Sequence, residues 1–178
     1  ALSGQSGNNL LTGAVVRMGL TEHFEFSVGL AYTFEEKRVN DYETKNKGMN
    51  AFAFGIRSNI YVGKGWVPSV GFQVNIGMPW LTASYNSTYI RPRLTLITGQ
   101  RMGERWGLTT NWGLFWNGDS PDPIGFYVVN VSFDASAKWS VFMEGFGFIS
   151  DNSWEPYIDG GAGFLVNNNL QLDIAAGY

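Results

Sequence analysis

Apolar and polar residues alternate with a period of two along almost the whole chain, which is the signature of half-exposed strands and not of helices. Over residues 24–34, Phe24, Phe26, Val28, Leu30, Tyr32 and Phe34 fall on one face, and Glu25, Ser27, Gly29, Ala31 and Thr33 on the other. Over residues 66–78, Trp66, Pro68, Val70, Phe72, Val74, Ile76 and Met78 oppose Val67, Ser69, Gly71, Gln73, Asn75 and Gly77. Residues 106–116 split in the same way, Trp106, Leu108, Thr110, Trp112, Leu114 and Trp116 against Gly107, Thr109, Asn111, Gly113 and Phe115. The same reading predicts strands over 12–20, 52–62, 88–98, 127–133, 139–149, 158–166 and 170–178. Each of these ten segments is close to the roughly 9–11 residues with which a tilted strand crosses a bilayer.

The two faces differ in kind. One is bulky and aromatic and carries no charge in any of the ten segments. The other is read as small and polar, rich in Gly, Ser, Thr and Asn. Its charges are Arg17, Glu25, Arg57, Arg91, Arg93, Glu144, Asp159 and Asp173. A soluble barrel turns its bulky face inward and its charges outward. Bulky residues outside and small polar residues inside is the lipid-facing arrangement.

The connections alternate in length. The short ones are Thr21-Glu22-His23, Gly63-Lys64-Gly65, Gly103-Glu104-Arg105, Ser136-Ala137-Lys138 and Asn167-Asn168-Asn169. The long ones are 35–50, 79–87, 117–123 and 150–156. Outer-membrane barrels have short periplasmic turns and longer extracellular loops, so the short set is assigned to the periplasm. Trp66, Trp106 and Trp139 directly follow three of these turns, and Phe24 and Leu170 hold the equivalent places. Phe24, Trp66, Trp106 and Trp139 are therefore read as an interfacial aromatic girdle. With this assignment the first strand descends from outside and the last one ends outside. Bacterial barrels instead have even strand numbers with both ends in the periplasm. An open sheet would also leave two unpaired edges in lipid, where each unsatisfied backbone group costs several kcal/mol. The expectation is one all-β domain over residues 1–178: a transmembrane antiparallel up-and-down barrel of twelve strands, of which the middle ten are present. The alternative is that residues 170–178 close a barrel of ten.

Composition agrees with this and removes other classes. The 178 residues include 23 Gly and no Cys, and only 15% are charged. No Cys means no disulfide framework and no thiolate metal site. The aromatic content of 16% is too high for a disordered chain. The mean hydropathy of -0.09 looks soluble, but alternating faces average to near zero in a strand-built membrane protein. The net charge of -3, with basic residues unclustered, gives no support for nucleic-acid binding.

Three segments resemble a known family. They are Val16-Arg17-Met18-Gly19-Leu20-Thr21-Glu22-His23-Phe24-Glu25-Phe26, the stretch 111–123 with Trp116-Asn117-Gly118-Asp119-Ser120-Pro121, and Asp159-Gly160-Gly161 leading to Asn169-Leu170-Gln171-Leu172-Asp173. They are similar to the bacterial outer-membrane transporter family named for the meta-pathway of phenol degradation. The resemblance spans most of the chain. It implies an outer-membrane barrel that takes up small, often hydrophobic compounds, and it carries over no catalytic residue.

Candidate chemistry is sparse. The single His, His23, lies beside Glu22 in a periplasmic turn, the wrong end for the hydrolase sites of outer-membrane enzymes, so no enzyme is expected. Glu35, Glu36, Asp41 and Glu43 are interleaved with Lys37, Arg38, Lys45 and Lys47, which reads as a solvated loop rather than a calcium site. Asp119 and Asp122, alternating with Pro121 and Pro123, read as a rigid turn, with a calcium role as the alternative. No cofactor is expected. Four inward arginines against four inward carboxylates either pair across the lumen and plug it, or line a pore and set its selectivity. Arg91 and Arg93, two apart on one face with Pro92 between them on the lipid face, are the best candidates for an anion-facing patch. The expected function is passive passage of a small hydrophobic or anionic solute, with membrane lipid as the surrounding partner. Two alternatives stay open: an accessory barrel with a plugged lumen and binding loops such as 35–50 in a larger assembly, and a soluble barrel that binds a lipophile.

Overall fold

The computed structural model describes residues 5–39, 42–151, 153–167 and 170–178. The strands are β1 (Gln5–Gly19), β2 (Phe24–Val39), β3 (Tyr42–Tyr61), β4 (Ser69–Gly77), β5 (Arg91–Met102), β6 (Trp106–Phe115), β7 (Ile124–Asp134), β8 (Trp139–Ser150), β9 (Ser153–Asn167) and β10 (Leu170–Gly177). They form one ten-stranded antiparallel sheet in sequence order, β1 at one end of the order and β10 at the other. A single turn of 3₁₀ helix, Ala83–Tyr85, lies between β4 and β5. Among the described residues no helix is long and apolar enough to cross a membrane.

All ten expected strands are present, but several bounds differ. The long connection expected over 35–50 is mostly strand. β2 runs on to Val39, β3 begins at Tyr42, and β1 pairs with β2 all the way to Gln5↔Val39. The ladder continues where both faces are polar, because backbone bonding does not need the alternation that marks a half-buried strand. The expected loop over 150–156 shrinks in the same way, since β8 ends at Ser150 and β9 starts at Ser153. At the other end, β4 starts only at Ser69. Lys64 and Val67 close a small turn by mutual backbone hydrogen bonds of 3.0 and 3.1 Å, and Trp66 projects from it 88% exposed. Phe24, Trp106 and Trp139 are the first residues of β2, β6 and β8. Asn168, Asn169 and Asp41 lie outside the described residues, as do the side chains of Lys37, Arg38 and Glu43.

The chain divides into two compact units, which are described separately. One comprises Ala1–Arg57, Val74–Arg93 and Trp116–Pro121; the other comprises Ser58–Gln73, Leu94–Phe115 and Asp122–Tyr178. In the first unit the β1–β2 register stacks Val16 on Val28 and Met18 on Phe26 on one face, with Arg17 beside Ser27 on the other. In the second, Trp106 meets Phe133 and Trp112 meets Tyr127, with ring centroids 4.7 and 5.8 Å apart, and Trp139 meets Phe164 at 4.7 Å. These apolar rungs are exposed. Val16, Met18, Leu30, Ile60, Trp139, Met143 and Ile174 all present their side chains outward from the sheet. Among the described residues, glycines apart, the buried ones are instead Phe126 with Thr33, Ser87 and Thr95. A water-soluble protein of this size would bury its Leu, Ile and Val first. From Trp139 to Ile149 the chain takes ten steps of about 3.3 Å, which at a tilt of about 40° rise roughly 25 Å, the height of an outer-membrane apolar band.

Candidate functional site

The face opposite the apolar rungs carries the charges, and the sequence distributes them unevenly. Residues 1–105 hold eleven Lys and Arg against seven Asp and Glu, whereas residues 106–178 hold one Lys, Lys138, against eight acids. β6 to β10 therefore contain no basic residue at all.

In the first unit, Arg17 on β1 points its Nε at Glu25 Oε1 on β2, 3.6 Å away. Both side chains are exposed, so the pair is worth well under about 1 kcal/mol. Arg57 is exposed on β3. Arg91 opens β5 and donates from Nη2 to the carbonyl of Met78 at 3.4 Å. Its stem runs through a slot between two glycines. A Cβ on Gly77 would stand 3.2 Å from Arg91 Cβ, and one on Gly118 would stand 2.9 Å from Arg91 Cγ. Gly118 also has a φ of +87°, which a side chain would strain. Arg93 follows two residues later on the same face, exposed and with an interaction of its own.

The turn after β6 is fastened to the segment before β5 in the same unit. Asp119 Oδ1 accepts from Thr88 N and Thr88 Oγ1, both at 3.0 Å, and Gly118 O accepts from Tyr89 N at 2.9 Å. Asn117 Oδ1 accepts from the amides of Asp119 and Ser120, and Trp116 Nε1 donates to Pro121 O. The sequence predicts a turn here from Asp119, Asp122 and the prolines; the side chain that closes it as an Asx turn is Asn117. His23 lies exposed in the β1–β2 turn, where its amide donates to Thr21 Oγ1 at 3.2 Å.

In the second unit the register aligns successive rungs across β7, β8 and β9. One rung is Asn130–Glu144–Asp159, the next Val128–Phe146–Tyr157, and the next Phe126–Phe148–Glu155. On the other side of the first lies Ser132–Phe142–Gly161, then Asp134–Ser140–Gly163 with Asp173 of β10. The expectation of a small polar face fails here. Phe126, Phe142, Phe146 and Phe148 share the face with the carboxylates. Room for the rings comes from glycines: a Cβ on Gly113 would stand 2.6 Å from the Phe126 ring, and one on Gly161 would stand 2.8 Å from Phe142. The rings form a continuous row, with centroid distances of 6.2 Å for Phe115–Phe126, 6.0 Å for Phe115–Phe148, 6.4 Å for Phe148–Tyr157 and 5.4 Å for Phe146–Tyr157.

The acids of this unit have few partners. Glu144 Oε2 accepts from Asn130 Nδ2 at 3.2 Å, and Asp173 Oδ1 from Gln171 Nε2 at 2.7 Å. Tyr157 donates its hydroxyl to Glu155 Oε2 at 3.4 Å. Asp134 is paired at the turn end, where Arg101 Nη1 reaches its Oδ2 at 3.0 Å. Asp159 Oδ1 is buried without a hydrogen-bond partner. A surface groove of about 460 Å³ lies beside Trp139, Lys138 and Arg105, at the short turns and not at the aromatic row.

Sequence reasoning named Glu144, Asp159 and Asp173 but missed the rings beside them and the segregation of charge. The ring pattern was present as Phe142, Phe146 and Phe148 alternating with Val141 and Met143. The segregation needed only a count of charges along the chain.

An antiparallel sheet in sequence order, with an apolar face a bilayer high and a charged opposite face, defines a transmembrane β-barrel protein of the bacterial outer membrane. Residues 4–178 match the family described as "Putative MetA-pathway of phenol degradation", and the chain belongs to that family. Its fold is also that of a crystal structure of an outer membrane channel from Pseudomonas putida F1, with a TM-score of 0.69 at 11% identity. The match covers 97% of this chain and 76% of that one. No curated protein matches the chain.

Proposed function

We propose that this chain forms the wall of an outer-membrane channel through which a small solute diffuses, with the charged face as its lumen. The solute has an apolar, ring-sized body. The aromatic row Phe115–Phe126–Phe148–Tyr157–Phe146 carries this reading, because it lies on the face turned away from lipid. Rings on the lipid face serve the membrane, whereas rings on the polar face gain nothing from lipid and give an apolar solute a surface to slide along. The likeness to an outer membrane channel supports the same conclusion. Arg17, Glu25, Arg57, Arg91, Arg93, Glu144, Asp159 and Asp173 line the lumen in this reading. Arg91 and Arg93 form its anion-facing patch, and Phe24, Trp66, Trp106 and Trp139 form the periplasmic girdle. No catalytic residue and no cofactor enter this function. The test is reconstitution of the full-length protein in planar bilayers, where discrete current steps support a channel and a silent bilayer opposes one.

The barrel proposed is twelve-stranded. β1 and β10 end the strand order, and a bare edge in lipid is costly, so each is paired with one more strand in the intact protein. A second reading, an accessory barrel within a larger assembly, is favoured by the β2–β3 ribbon. β2 has 16 residues and β3 has 20, more than a bilayer crossing needs. Co-purifying subunits together with absence of current would select that reading.

A further inference from the structure

Resting on the channel reading above, we infer that Glu144, Asp159, Phe146 and Tyr157 form a recognition site for a small organic monocation, an ammonium group carried on an aromatic or apolar body. Two adjacent rungs of the sheet make the site. Glu144 is the cross-strand partner of Asp159, and Phe146 is that of Tyr157. Residues two apart on a strand share a face, so the ring pair sits about 6–7 Å along the strands from the carboxylate pair. The rings are stacked at 5.4 Å with 20° between their planes, an apolar pair beside the carboxylates.

The carboxylate rung lacks a positive charge. Like charges directly opposite on a sheet repel. Asn130 Nδ2 donates to Glu144, but Asp159 Oδ1 is buried with no partner. The charged groups sharing this face on β7, β8, β9 and β10 are Asp134, Glu144, Glu155, Asp159 and Asp173, all acidic. The basic group that pairs with one of them is Arg101, which reaches Asp134 two rungs from Glu144–Asp159 along β7 and β8 in the direction of the turn.

Three solute classes can be compared at this place. A neutral aromatic solute gains contact with Phe146 and Tyr157 but leaves the two carboxylates uncompensated. A hydrated metal ion answers the carboxylates and takes nothing from the rings. An organic cation answers both, with its charge at Glu144 and Asp159 and its apolar or aromatic body against the rings.

The test measures block of the potassium current of the full-length channel by phenethylammonium, by its neutral analogue 2-phenylethanol, and by tetramethylammonium. Phenethylammonium is expected to block at concentrations about tenfold below either of the others. Glu144→Gln combined with Asp159→Asn, which keeps side-chain size, removes its advantage over 2-phenylethanol. Phe146→Leu combined with Tyr157→Leu removes its advantage over tetramethylammonium. Heat-shifted gel mobility shows that each variant is folded, and the single Glu144→Gln substitution, expected to lose part of the advantage, serves if a double variant is not. Equal block by phenethylammonium and 2-phenylethanol, or block unchanged in the amide variant, overturns the site and leaves the channel standing. If no current flows, the channel reading falls, and calorimetry of phenethylammonium with the detergent-solubilised protein decides the site: binding that the amide variant loses supports it, and no binding overturns it.

Discussion

At the scale of single residues, the charged face depends on side chains that are missing. Gly113 leaves the space that the Phe126 ring fills, and a Cβ there would also meet the backbone oxygen of Leu94. Gly113→Ala is therefore an overpacking substitution, expected to cost about 1–3 kcal/mol. It should lower the temperature of the heat-induced mobility shift on gels; an unchanged temperature would show that the aromatic row has slack. Arg91 tests a different property. Gly77 and Gly118 confine its stem and Met78 O holds one end of its guanidinium, so its charge is fixed in place. Replacing Arg91 and Arg93 together by Ala should shift the reversal potential in a salt gradient toward cations. An unchanged reversal potential would remove both arginines from the pore.

At the scale of elements, the orientation expected from the sequence, with the short turns in the periplasm, gives every strand a direction that can be tested. The chain has no Cys, so a single introduced thiol reports one position. Lys45, which pairs with Glu36 at 3.1 Å on the β2–β3 ribbon, is assigned to the outside; Lys64 and Lys138, in short turns, are assigned to the periplasm. Lys45→Cys should react with a membrane-impermeant maleimide on intact cells, and Lys138→Cys only after the outer membrane is opened. The reverse pattern would invert the topology. The edge strands give a second test. If β1 and β10 are each paired on both sides in the full-length protein, their amides should exchange as slowly as those of β7. Fast exchange along one edge would contradict a closed twelve-stranded barrel.

The elements also show how far a sequence can be read. All ten strands were legible wherever one face meets lipid, because a bilayer imposes strict alternation. The ribbon at 35–50 was not, because in water neither face needs to be apolar and the period disappears. The direct opposition of Glu144 and Asp159 was not legible either. It depends on the turn between β8 and β9 and on a register that one extra residue would change, as the shift between Leu170 and Gln171 in the next ladder illustrates. The girdle position of Trp66 depended on where β4 starts, and the Lys64–Val67 turn delays that start to Ser69.

At the scale of the whole molecule, the distribution of surfaces decides the class. Most of the exposed large apolar side chains lie on the face opposite the charges, and the few buried side chains are mostly polar. That is the reverse of a water-soluble fold and the requirement of a protein whose solvent is lipid. Family membership and the likeness to an outer membrane channel agree with it. The proposed step beyond this class is that the charged, ring-bearing face is a conduction path and not a filled interior. Single-channel recording of the full-length protein in planar lipid bilayers tests it most directly. Discrete, reproducible current steps that aromatic solutes reduce from within are the expected result. A protein that inserts, resists heat as a folded barrel and yet passes neither ions nor solutes would contradict it.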